Sequence, residues 1–158
     1  MKRVINRKQR TGCNQKGTVA VEMAIAVTLL ATLLLGVMEV GSIVHDYQVL
    51  QNAAREGARF SANPANQIIR SQDPAVLQTI QDRVVAYLQN ENITVAEGDV
   101  VVDQAYPIQV GSLTVPGSHV TVTYSRSLIF PGVTSFIPSL GTLQLTGSAV
   151  FRNFYAND

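Results

Sequence analysis

Glu22 is the residue whose chemistry most needs a reason. It stands at the start of the one long apolar stretch in the chain, followed by Met23 to Met38 without a charge and then by Glu39. A carboxylate at the start of a membrane-spanning segment is costly, and where one is kept it usually has a function and a definable partner. A partner arises if the backbone is cut between Gly17 and Thr18: the new α-amino group is positive, and Glu22 stands four residues on. Glu22 could then neutralise the amine of its own chain or of an adjacent subunit, turning two buried charges into one pair. The same cut removes Lys2, Arg3, Arg7, Lys8, Arg10 and Lys16, six positive charges that oppose drawing the helix out of a bilayer. Gly17, Thr18 and Glu22 are therefore the candidate cleavage and assembly residues.

The other chemistry-bearing residues form no catalytic set. His45, His119 and the single Cys13 cannot assemble a zinc site of three or four nitrogen or sulfur ligands in one exported head. One cysteine also excludes an internal disulfide, and Cys13 reads as an incidental thiol. No Gly-x-Ser-x-Gly, Walker loop or dinucleotide-binding glycine pattern occurs. His45 falls at the membrane boundary, and His119, alternating with Val120 and Val122, is expected on the solvent face of a strand. Glu97, Asp99 and Asp103 share one strand face by parity and are the oxygen ligands calcium takes. The Asp-x-Asp-x-Asp-Gly loop is missing, however, and carboxylates on an exposed strand face are ordinary. Asn92-Ile-Thr94 matches a glycosylation sequon, a pattern too short to carry weight. The expectation is a non-enzyme with no metal, no cofactor, no small-molecule substrate and, at a net charge of +1, no nucleic-acid partner.

These residues need elements to position them. Only 15% of the chain is charged, against about 25% in an ordinary soluble domain, and the basic residues are unevenly placed. Residues 1–17 hold six of them and no acid, a basic leader, whereas residues 18–158 hold six arginines against eleven acids. Val19 to Val44 supplies 26 mostly apolar residues, enough for one spanning helix. The positive-inside bias orients it with the leader in the cytoplasm and the C-terminal part outside. A cleaved secretory signal fits poorly, because its apolar region would be shorter and would end in a small-x-small site. Helical spacing continues through Tyr47, Leu50, Ala54, Gly57 or Ala58 and Ser61, until Asn63-Pro64 ends it. Residues 18–62 thus read as one helix of about 45 residues, lipid-like in its inner half and amphipathic in its outer half. Ala54, Gly57 and Ala58, with Ala53, Ser61 and Ala62, repeat small residues every four positions and so allow another backbone to approach, either the head or a neighbouring subunit.

Residues 63–158 read as an α+β head. Asp73-Pro74 is an N-cap with proline at the first helical position, and Leu77, Ile80, Val84 and Leu88 recur at helical spacing to about Asn90. Period-two alternation follows in Asp99–Asp103, Pro107–Val115 and Val120–Tyr124, with Pro116-Gly117 as a turn between the last two. A Pro/Gly/Ser-rich loop runs from Phe130 to Gly141, and Leu143–Phe151 is a last strand. The spacing predicts an antiparallel sheet of about four strands with a second helix packed on it.

Gly17-Thr-Val-Ala-Val-Glu22 resembles the cleavage motif of type IV prepilins, with glycine before the cut and glutamate fifth after it. From Gly17 to about Ala62 the chain resembles the TadE-like family of the tight-adherence (Tad/Flp) pilus system. The stretches that carry this are Val21-Glu22-Met-Ala-Ile-Ala26, Gly36-Val-Met-Glu39 and Leu50-Gln-Asn-Ala-Ala-Arg-Glu-Gly-Ala-Arg59. The resemblance implies a pseudopilin or minor pilin, cut by a prepilin peptidase between Gly17 and Thr18 and needed for assembly of a type IVb adhesive pilus in cell adhesion and biofilm formation. Its implied partners are the membrane, the peptidase, other pilin-like subunits and the Tad assembly machinery. Its implied place is the bacterial inner membrane, spanned once, with the head periplasmic or extracellular. Met23 departs from the aromatic residue the family prefers after the glutamate, and Thr28 from a common proline, which makes for a straighter helix. The head distinguishes the chain from the major Flp pilin, which is little more than the helix. The alternative is a generic single-pass signal-anchored envelope protein with a binding head, for which Glu22 has no use; a membrane-tethered enzyme comes third.

Overall fold

The computed structural model describes residues 14–63, 73–128 and 141–153. The leader up to residue 13 with Cys13, the connection 64–72 and most of the Pro/Gly/Ser-rich loop, 129–140, lie outside the described residues. The chain divides into two compact units, the first ending at Met38 and the second beginning at Glu39.

Helix α1 (Asn14–Ser61) is 48 residues long, about 72 Å at 1.5 Å per residue. It contains no proline, and its two mid-helix threonines do not break it. The Thr28 hydroxyl donates to the Ala24 carbonyl at 2.8 Å and that of Thr32 to the Thr28 carbonyl at 2.9 Å, so each is satisfied within the helix. In the first unit every residue from Gly17 to Met38 is exposed.

The second unit is the head, to which α1 contributes its outer part. Helix α2 (Pro74–Asn90) starts where Asp73 caps it, its Oδ1 accepting from the Ala75 N–H at 2.9 Å, with proline in the first turn. Ile80, Val84 and Leu88 form its buried stripe. It ends as Asn92 turns to φ 62° and the Ile93 N–H donates to the Leu88 carbonyl at 2.9 Å, a left-handed stop that asparagine tolerates. A single 3-10 turn (Glu97–Asp99) leads into strands β1 (Val100–Val110), β2 (Leu113–Ser127) and β3 (Thr142–Arg152), antiparallel in the order β1-β2-β3. Val100, Val120, Val122 and Leu145 face α1 and α2 and join Leu50, Ala54, Ala58, Val84 and Leu88 in one core. The class is α+β.

The strand count and one turn differ from the sequence expectation. Among the described residues the sheet has three strands, because Asp99–Asp103, from Val100 on, and the first half of Pro107–Val115 run together in β1, while the rest of Pro107–Val115 joins Val120–Tyr124 in β2. The reversal falls at Gly111-Ser112, with Val110 opposite Leu113 and Gly111 at φ 64°. A two-residue hairpin loop with glycine first matches the right-handed twist of its flanking strands. Pro116-Gly117 instead lies inside β2. Pro116 has no N–H to give a ladder, but β3 pairs with β2 only from Gly117 onward, so Pro116 sits where β2 has a single strand neighbour. A bulge between Asp103 and Tyr106 shifts the β1 register and aims Gln104 at α1, where its Nε2 donates to Ser61 Oγ at 3.1 Å.

Candidate functional site

The Gly17–Thr18 peptide bond lies in the first turns of α1. A Cβ placed on Gly17 would meet nothing within 4 Å, so no packing among the described residues calls for glycine there. Glycine costs a helix about 1 kcal/mol relative to alanine, which makes this turn easier to open than its neighbours. Glu22 is exposed one helical turn from Thr18, the i, i+4 spacing at which side chains of a helix meet.

The small residues of the outer helix lie in the head's core. Ala54 and Ala58 are fully buried, and Gly57 lies against both α2 and the sheet. A Cβ there would come within 2.5 Å of Val84 Cγ2 and 3.3 Å of Val120 Cγ1. Farther along, Ser118 Oγ donates to Ser61 Oγ at 2.5 Å, so a small polar knot closes the end of the α1 seam. The stripe is a helix-packing face whose partners are α2 and the sheet.

Sequence reasoning missed Arg126, whose side chain is only 7% exposed. It reaches across from β2 to α1. Nη1 donates to the Asp46 carboxylate, Nη2 donates to Ser42 Oγ at 2.7 Å, and Nη2 lies 3.6 Å from Glu39 Oε1. Glu39 and Asp46 are themselves only 14% and 15% exposed. A fork of guanidinium donors suits several oxygens at once, which one ammonium group would serve less well. The signal was strand parity: Arg126 falls on the face of Val120, Val122 and Tyr124, so an arginine stands at an apolar position and needs carboxylates opposite.

The remaining candidates do not come together. His45 is exposed on α1. His119 lies on the sheet face away from the core, as its alternation predicts, but is half-covered by Tyr106, with ring centroids 4.6 Å apart. Glu97 and Asp99 belong to the 3-10 turn, not to a strand face shared with Asp103. Asp99 Oδ2 accepts from the Ala96 N–H at 3.1 Å and Asp103 Oδ1 from the Ala105 N–H at 2.9 Å; local turns occupy these carboxylates. Among the described residues no group of three or more His, Cys, Asp or Glu side chains could hold a metal ion.

From Gly17 to Ser61, α1 is long and apolar enough to cross a membrane. Neither the curated proteins nor the solved structures yield a match to the chain. Residues 17–59, the stretch of α1 that carries Gly17, Glu22 and Glu39, match the model of the family described as TadE-like protein.

Proposed function

We propose that the chain is a pseudopilin or minor pilin of a Tad/Flp pilus, matured by a prepilin peptidase between Gly17 and Thr18 and needed for assembly of the pilus. It is a structural subunit without catalysis of its own. The observation that carries this reading is the match of residues 17–59 to the TadE-like family model, a stretch that begins at Gly17 and holds Glu22 five residues after it. Cleavage leaves the Thr18 amine one turn from Glu22 and detaches the cationic leader. The matured helix then has one carboxylate to pair with an amine, its own or that of a neighbouring subunit. Partners along the filament are other pilin-like subunits and the assembly machinery, and the helix crosses the inner membrane with its head outside.

The test is the N-terminal sequence and intact mass of the protein from envelope membranes, with and without a co-expressed prepilin peptidase. A chain beginning at Thr18 only with the peptidase is the expected result. A chain that keeps its leader under both conditions overturns the reading in favour of a single-pass signal anchor, for which Glu22→Ala is silent.

A further inference from the structure

The two edges of the sheet are unlike. β1 carries several of the features that blunt an edge strand. Pro107 has no N–H to offer, a bulge between Asp103 and Tyr106 breaks the line of the strand, Asp103 is charged, and Gln81 Nε2 of α2 donates to the Val100 carbonyl at 2.8 Å. β3 carries none of these. From Thr142 to Arg152 it holds no proline, its one charge is its last residue, and it pairs with β2 along its whole length without a bulge. Among the described residues no strand pairs with its other side. The side chains of β3 are also arranged symmetrically about Gly147, its middle residue. On the face it shares with Val120 and Val122, Leu145 and Ala149 stand two positions either side of Gly147, and Leu143 and Phe151 four positions either side. The inner pair packs into the core, whereas Leu143 is 36% exposed and Phe151 37%. On the opposite face Thr146 and Ser148 flank the same glycine, both exposed.

We propose that β3 is a pairing edge for the β3 of a second copy of this chain, the two strands running antiparallel about a two-fold axis at Gly147 and joining two three-stranded sheets into one of six. In this register the strands overlap over their full length. Leu143 of each copy lies opposite Phe151 of the other, so the two exposed apolar side chains at the ends of β3 cover one another, twice in the dimer. Leu145 lies opposite Ala149, and Thr146 opposite Ser148, a pairing in which hydroxyls can bond across the strands. Gly147 brings no side chain to the axis. Arg152 faces Thr142, and the two arginines stand about 34 Å apart at 3.4 Å per residue, so no like charges meet. A second copy fits this edge better than an unrelated strand does, because β3 itself supplies the mate for each of its exposed apolar residues. The proposal concerns the head alone and stands apart from the pilus reading.

The test is disulfide trapping in envelope membranes that contain two differently tagged forms of the full chain, both with Cys13→Ser. One form carries Thr146→Cys and the other Ser148→Cys, at exposed positions on the face away from the core. After mild oxidation the mixed 146–148 dimer is expected to exceed either like dimer several-fold, and to exceed the dimer formed by Gln109→Cys on β1 by a similar factor. Mixed and like dimers in equal yield would mean chance collision, as from association through α1 alone, and would overturn the proposal. So would absence of any dimer, or trapping of β3 on a different protein. A second pair, Gln144→Cys with Val150→Cys, reads the same register and leaves positions 146 and 148 open to substitution. Thr146→Lys with Ser148→Lys sets lysines opposite one another across the axis, and the mixed 144–150 dimer is expected to fall several-fold while the head's urea midpoint stays unchanged. A 144–150 dimer that survives the two lysines would overturn β3 pairing. A lowered urea midpoint would trace the loss to the head's own folding, and the proposal is then decided by the unaltered 146–148 and 144–150 pairs.

Discussion

Leu33 and Leu50 belong to the same helix, yet Leu33 is 59% exposed and Leu50 is completely buried. The two halves of α1 differ throughout in this way. From Gly17 to Met38 large apolar side chains point outward all round, and a Cβ on Gly36 would meet nothing within 4 Å. From Val49 to Ala62 alanines, a glycine and a serine line the buried side. At Gly147 the fit is so close that a Cβ would come within 2.6 Å of the Leu50 backbone carbonyl. Continuous backbone hydrogen bonding therefore says nothing about what a helix faces. The inner half requires only apolarity, which a hydrocarbon solvent rewards without regard to shape. The outer half must match α2 and the sheet atom by atom, and close packing makes size decisive there.

That contrast is breakable. The largest effect is expected from Leu50→Ala, which should cost the head about 3–4 kcal/mol through lost burial and the cavity left behind. Leu33→Ala should leave head unfolding unchanged when both full-length variants are unfolded by urea in detergent. Equal losses would mean the two halves are not energetically separate. A smaller effect distinguishes the glycines. Gly57→Ala forces a methyl against Val84, and overpacking of about 1–3 kcal/mol outweighs the helix-propensity gain of about 1 kcal/mol, so the head's unfolding midpoint should fall. Gly36→Ala meets no obstacle and should increase helicity, measured by circular dichroism, without lowering that midpoint. Smallest is Arg83→Ala. Arg83 donates to Glu56 at 2.8 Å and lies 4.6 Å over the Phe60 ring, but its side chain is half exposed. A loss of about 0.5 kcal/mol, shrinking further at high salt, is expected from the same titrations.

Much of the head was legible because its signals are local. Asp73-Pro74 announces α2, since a cap and a pre-set φ act within one turn, and Ile80, Val84 and Leu88 announce its buried stripe by period alone. Gly111-Ser112 was legible in principle, but Pro116-Gly117 made the louder turn signal. Proline is excluded from a strand only where a ladder must receive its N–H, and that depends on where β3 stops. Glu97 and Asp99 kept strand parity with Asp103 on paper, but a 3-10 turn breaks the count before β1 begins.

What the sequence determined by itself was whatever rests on near neighbours: an apolar run long enough to span, its asymmetry of charge, a helix that continues past it, a capped second helix, and a Gly/Glu motif at the head of the first. Tertiary structure decided the pairings between distant residues. Arg126 meets Asp46 across 80 positions, and Gly57 meets Val84 only because α2 folds back along α1. The physical reason is one of range. Hydrophobic period and backbone propensity act over a few residues and leave their mark in order along the chain, whereas the partner of a buried charge or the space beside a glycine depends on packing that brings separate segments together.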